Sequence, residues 1–207
     1  MKRTVFVGLI AAAVVSVVAT FCLWPGVSPS KKTTGKDNVP VIAQVLGVRV
    51  GKDTMERLDK ILGRGATCMG GHPRGGRAWF IKSQNVYVYA DGFDYSRHGD
   101  CIIDTIQIGF KKDAMQIGPP YGQPMPTIPK VSVGNRRIGW LGSVLPGMSR
   151  KRTLVLTSSL PKPKASGRVL RWTMEGTYKT SSEKRKDNWT AELTFDRGVL
   201  VLIDIGS

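Results

Sequence analysis

Trp189-Thr190-Ala191-Glu192-Leu193-Thr194-Phe195 runs into Asp196-Arg197-Gly198 and then Val199-Leu200-Val201-Leu202-Ile203-Asp204-Ile205. Trp189, Ala191, Leu193 and Phe195 alternate with Thr190, Glu192 and Thr194. That period of two describes a strand with one buried and one polar face. Asp196-Arg197-Gly198 is hairpin chemistry, turning the chain into a second apolar strand over Val199 to Ile205. Upstream, Val169 to Glu175 places Trp172 and Met174 on one face and Arg171 and Thr173 on the other. This end of the chain therefore reads as an antiparallel meander.

Working outward, the same order of signals occurs earlier. Met55, Leu58, Ile61 and Leu62 fall at helical spacing. Asp53 with Glu56 suggests a capping box, and Gly63 suits the helix end. Strands are expected at Arg77 to Lys82, Asn85 to Ala90 and Ile102 to Phe110. Ser149 to Ser158 reads as a weaker helix, rich in Thr and Val. Three landmarks recur in order: Val48-Arg49-Val50-Gly51 with Val144-Leu145-Pro146-Gly147, Trp79 with Trp172, and Ile106-Gln107-Ile108 with Ile203-Asp204-Ile205. Their offsets of 96, 93 and 97 residues argue for duplication. The expectation is an α+β fold of two tandem repeats, each a short helical segment packed on an antiparallel β-meander.

The repeats are expected at 41–114 and 131–207, separated by a Pro-rich linker at 115–130. Pro119, Pro120, Pro124, Pro126 and Pro129 keep that linker out of any sheet interior. Residues 25–40 read as a flexible tether. Residues 1–24 read as a signal peptide or an N-terminal membrane anchor: Lys2 and Arg3 precede an uncharged run from Val5 to Trp24, about the length of a membrane span. Cys22 allows a lipoprotein reading, which bulky Phe21 disfavours. In each case the rest of the chain is exported. It faces outward from a membrane, or is periplasmic or secreted if the leader is cleaved.

Gly51 to Gly63, Trp79 and Ile106-Gln107-Ile108, with Gly147 to Ser149, Trp172 and Ile203-Asp204-Ile205, resemble the repeat of the β-lactamase inhibitor protein (BLIP)-like family. They also resemble the related BamE-like domain. The resemblance covers about two thirds of the chain. It implies an exported protein-binding scaffold with a concave sheet surface and no catalysis. The second helical segment departs from the family pattern, and the lipid-attachment motif is missing.

Chemistry-bearing residues are few. Cys68, His72, His98 and Cys101 contain every histidine and both cysteines outside the leader. They allow a Cys68–Cys101 disulfide, a tetrahedral metal site or free thiols. Export favours the disulfide, and the BLIP-like resemblance implies one. Gly63-Arg64-Gly65 and the Gly70 to Gly76 run follow a helix instead of opening one, unlike a phosphate loop. No Gly-x-Ser-x-Gly is present. Asp91, Asp94, Asp100 and Asp104 fit no EF-hand spacing. Tyr87 and Tyr89 share a strand face that is either core or an adhesive surface, with Phe93 and Tyr95 at the strand's exit.

The chain carries 31 Lys+Arg against 15 Asp+Glu, a net charge of +16. The excess is uneven: +2 over 41–110 and +9 over 130–207. Arg136, Arg137, Arg150, Lys151, Arg152, Lys184, Arg185 and Lys186 form its clusters. They are the expected partner-binding residues, for an acidic protein or an anionic envelope component. No nucleic-acid motif accompanies them. The expected function is an exported, non-enzymatic binding or inhibitor module without a cofactor. The alternative is a cell-envelope metal-handling protein or enzyme using Cys68, His72, His98 and Cys101.

Overall fold

Every tryptophan after the leader donates its indole N–H to a loop carbonyl. Trp79 bonds Gly63 O at 2.7 Å, Trp140 bonds Ile42 O at 2.8 Å, Trp172 bonds Pro161 O at 2.9 Å and Trp189 bonds Val50 O at 2.8 Å. A buried indole needs such a partner, so each ring both fills the core and ties a connection to it. The computed structural model describes residues 38–68, 76–94, 101–115, 117–120, 122–179 and 184–207.

A 3-10 turn at Val41–Ala43 leads into a small hairpin, β1 (Gln44–Val45) and β2 (Val48–Arg49), and then α1 (Met55–Leu62). Next come β3 (Ala66–Cys68), β4 (Gly76–Ile81), β5 (Val86–Asp94) and β6 (Cys101–Gly109). A second 3-10 turn at Lys112–Ala114 and a two-residue β7 (Lys130–Val131) bracket the proline segment. Then follow α2 (Arg150–Leu156), β8 (Lys164–Ser166), β9 (Val169–Lys179), β10 (Lys184–Asp196) and β11 (Val199–Gly206). The turn between β10 and β11 places Arg197 and Gly198 at φ of 48° and 80°, the left-handed pair that a two-residue hairpin requires.

The long strands form one sheet in the order β3-β4-β5-β6-β11-β10-β9-β8, antiparallel throughout except where β7 pairs parallel with β4. Its centre is the β6–β11 pair, where Ile108 faces Ile203 and Ile106 faces Ile205. The two isoleucine motifs noted in the sequence thus lie against each other. One face, the front, holds a core that includes Trp79, Val88, Ile106, Trp140, Trp189, Leu193 and Ile203. α1, the Val41–Val50 segment and the chain around Ile138–Val144 contribute to it.

This arrangement corrects the expected α+β pair of tandem repeats. The described residues are 47% strand against 14% helical, and among them are one large antiparallel sheet and two short α-helices. The physical reason is the β6–β11 ladder. It pairs the last strand of one segment with the last strand of the other, so their apolar faces merge into one core. Lys36–Ser207 is accordingly one compact unit. A second correction concerns the transmembrane helix: among the described residues, no helix is long and apolar enough to cross a membrane. Val5 to Trp24 lies outside those residues. The described chain opens at Asn38, whose N–H donates to Thr177 O at 2.7 Å on β9.

α1 starts differently from the expected capping box. Its cap is Thr54, whose side chain makes no capping bond. Asp53 turns back instead, accepting from Arg49 N at 2.8 Å and from Arg49 Nη2 at 2.9 Å. Burial alone raises a carboxyl's pKa; here the Arg49 hydrogen bonds and the Arg49 and Arg57 charges outweigh it and hold Asp53 below its usual range.

Candidate functional site

The back of the sheet is treated unequally. Over β4 to β6 the proline segment lies across it, and Met115 and Ile117 bury against Cys68, Ala78 and Tyr89, with Ile128 packed beside them. Proline lacks a donor, so this segment covers the face instead of entering the ladder. At its far end Phe80 N donates to Pro129 O at 2.9 Å, extending the sheet edge where β3 stops.

The cover leaves a cleft of about 260 Å³ lined by Phe80, Tyr87, Lys112, Met125, Pro126, Ile128 and Lys130. Phe80 and Tyr87 are cross-strand neighbours. Their rings lie 4.9 Å apart at 50°, forming an aromatic floor. Met125 is exposed in the wall, and Lys112 and Lys130 are exposed at the rim. A thioether and two rings suit an apolar group, and the ammonium groups suit an anion beside it. Among the described residues the lining holds no carboxylate, imidazole or thiol.

Across the whole back face, from the covered strands to the uncovered ones, register places one residue per strand in a row: Ala66, Ala78, Tyr89, Gln107, Asp204, Glu192, Arg171 and Lys164. Gln107 Nε2 donates to Asp204 Oδ2 at 2.9 Å, and Arg171 Nη2 pairs with Glu192 Oε1 at 2.6 Å. Burial pushes the Asp204 carboxyl up, the Gln107 bond pulls it down, and the Glu192 charge adds to the rise. Tyr89 is fully buried with its ring over Gly76, where a Cβ would come within 2.5 Å of that ring. Burial and neighbouring Asp91 raise its phenol well above the ordinary value. Burial likewise raises the Cys68 thiol. Tyr89 and Cys68 are buried, whereas Asp204 and Glu192 are half-buried and Arg171 is exposed.

The expected site residues scatter. Cys68 lies on β3 in the back-face cluster, with its thiol 3.5 Å from Ala66 O. Cys101 lies on β6 and packs against the front core. β4 and β5 stand between them, three spacings of ~4.8 Å, whereas a disulfide spans Cα atoms no more than about 7 Å apart. No disulfide joins them, which corrects the expected Cys68–Cys101 bridge. The two cysteines also cannot serve one metal from opposite faces at that separation. His72 and His98 lie outside the described residues. So do Tyr95, Asp100 and the side chains of Phe93 and Asp94.

The basic residues do not converge either. Arg136 and Arg137 are exposed near the β4–β5 turn, where Gln84 bonds Arg136 O and Ile138 N. Arg150 is tied to Gly167 O at 2.8 Å, with its guanidinium 5.7 Å from the Phe195 ring centre. Lys151 and Arg152 are exposed beside it. Lys184, Arg185 and Lys186 begin β10, whose other end meets α2. Lys186 and Asp196 are ten residues apart on one strand, ~33 Å at the usual rise. The clusters are therefore spread along the sheet instead of gathered at one point, and the side chains of Lys184 and Arg185 lie outside the described residues. The sequence reading missed Phe80, Lys112, Met125, Ile128 and Lys130. Met125 and Ile128 as lone apolar residues among prolines were the available signal.

Compared with known proteins, the chain matches no family profile, no characterised sequence and no solved structure.

Proposed function

We propose that this chain is an exported, non-enzymatic binding module that takes an acidic, aromatic-bearing polypeptide segment in the Phe80–Tyr87 cleft. The observation that carries the reading is the cleft's composition: an aromatic floor and thioether wall between two rim lysines. Aromatic and Met side chains are typical of interface centres, with charge at the rim setting partner sign and on-rate. The carboxyls whose titration is shifted, Asp53 and Asp204, are engaged with Arg49 and Gln107 instead of lining the cleft. Nothing in the lining pairs a nucleophile with a base. The basic start followed by the uncharged run in residues 1–24 supports export. An inhibitor-type role, which the BLIP-like resemblance implies, belongs to the same class of function.

The test is titration of the protein with an Asp- and Glu-rich peptide carrying one Phe, followed by intrinsic fluorescence or calorimetry. Binding is expected to weaken with salt and to fall about tenfold in Lys112→Glu/Lys130→Glu. Phe80→Ala should weaken it at any salt concentration. Equal affinity in all three proteins overturns the reading.

A further inference from the structure

α2 is inside out. It buries Thr153, while Val155 and Leu154 are 65% and 40% exposed. The buried threonine costs little, because its hydroxyl donates to Ser149 O at 3.1 Å within the helix. Thr157, just past the helix and also buried, does the same to Thr153 O at 2.9 Å. At 100° per residue, Lys151 and Val155 share the outermost stripe, with Leu154 on one side and Arg152 on the other. Lys151 and Arg152 make no ion pair among the described residues. Val199, joined to Ser149 by a backbone bridge, adds another large exposed apolar side chain at the helix start. Cations in a helix's first turn also oppose its dipole, so folding gives no reason for them there.

We infer that the outer face of α2 is a docking surface for an anionic membrane surface. Aliphatic side chains ringed by Lys and Arg match the headgroup boundary: the chains enter the acyl edge and the cations reach phosphates. The patch is convex and two helical turns long. That falls well short of the ~800 Å² per partner usual for a stable protein interface, but it suffices for reversible adsorption. The surface lies on the front side of the sheet, since Leu156 and Leu160 behind it pack on the front core. The Phe80–Tyr87 cleft opens on the back, so this inference stands independently of the cleft reading, and both surfaces are usable at once.

The experiment is co-sedimentation of residues 36–207, which contain the entire core, with vesicles of phosphatidylglycerol and phosphatidylcholine. Pure phosphatidylcholine vesicles are the comparison. The protein is expected to bind only the anionic vesicles, less so in high salt. Leu154→Ser/Val155→Ser and Lys151→Gln/Arg152→Gln should each weaken binding about tenfold with unchanged melting temperature, while Lys112→Gln/Lys130→Gln should stay within about twofold of wild type. Absent vesicle binding, or wild-type binding in both α2 variants, overturns the inference. Concentration-dependent dimers that Leu154→Ser/Val155→Ser abolishes would overturn it too, assigning the face to a second copy of the chain.

Discussion

α1 and α2 are nearly equal in length, eight and seven residues, yet they are packed by opposite rules. α1 buries Met55, Leu58 and Leu62 and exposes Glu56 and Lys60, as its amphipathic pattern dictates. α2 buries a threonine and exposes Val155 and Leu154. The difference lies in how each helix is held. α1 is joined to the sheet by its apolar side chains, with Asp59 reaching Arg77 at 3.5 Å. α2 is held at its ends by backbone. Arg150 N donates to Gly198 O at 3.0 Å and Leu200 N to Met148 O at 2.8 Å, while Trp172 grips Pro161 after the helix. Those attachments set the rotation of α2 before its own side chains can. A helix this short contributes too little apolar area to overrule them.

The comparison breaks most readily at Leu58. Leu58→Ala should cost about 3 kcal/mol, read as a lowered denaturation midpoint, because the side chain is wholly buried. A loss below about 1 kcal/mol would mean that α1 is also held by its ends.

Asp53→Asn should come next, costing about 1–2 kcal/mol at neutral pH through weakened charge-assisted bonds to Arg49. The native carboxyl titrates below the ordinary value of 3.8. Its contribution is therefore complete above that value and is lost as pH falls through it toward the lowered native pKa. Urea melts between neutral and acid pH should show this acid-side slope in the wild type and a shallower one in the variant. Parallel slopes would remove Asp53 as its source.

Ser149→Ala should cost about 1 kcal/mol, since Ser149 Oγ accepts from Arg152 N at 3.3 Å and is the side-chain cap of α2. An effect near zero would mean that the backbone ties alone start the helix. The smallest effect is expected for Thr153→Val, within about 0.5 kcal/mol of wild type. Ser149 O keeps the Thr153 N–H at 3.0 Å after the hydroxyl is gone, so thermal melting should barely move. A large loss would show that the threonine hydroxyl holds α2 in its inverted setting.

Local pattern made much of the front face legible. Trp189, Ala191, Leu193 and Phe195 are buried on β10, and Leu58 and Leu62 on α1. Side-chain period is a property of each element alone, so it survives without knowledge of neighbours. The Phe80–Tyr87 floor was half visible: both residues sat in expected strands, but the segment that walls them in comes from Met125 to Lys130, about forty residues later. Its proline content predicts an extended path and says nothing about which surface it follows.

From the sequence alone follow the strands and their hairpin at Asp196 to Val199, the amphipathic α1, the basic balance and the nature of the leader's residues. Each depends on local stereochemistry or on a sum over the chain. Tertiary structure alone decided that β6 pairs with β11, so that two similar segments share one sheet and one core. It also placed Cys68 and Cys101 on opposite faces, spread the basic clusters along a strand and turned Leu154 and Val155 outward. These outcomes depend on ladder register and end anchoring, which join residues some fifty to a hundred positions apart. Many pairings satisfy the same local periods, and only the best collective burial of both apolar faces selects among them.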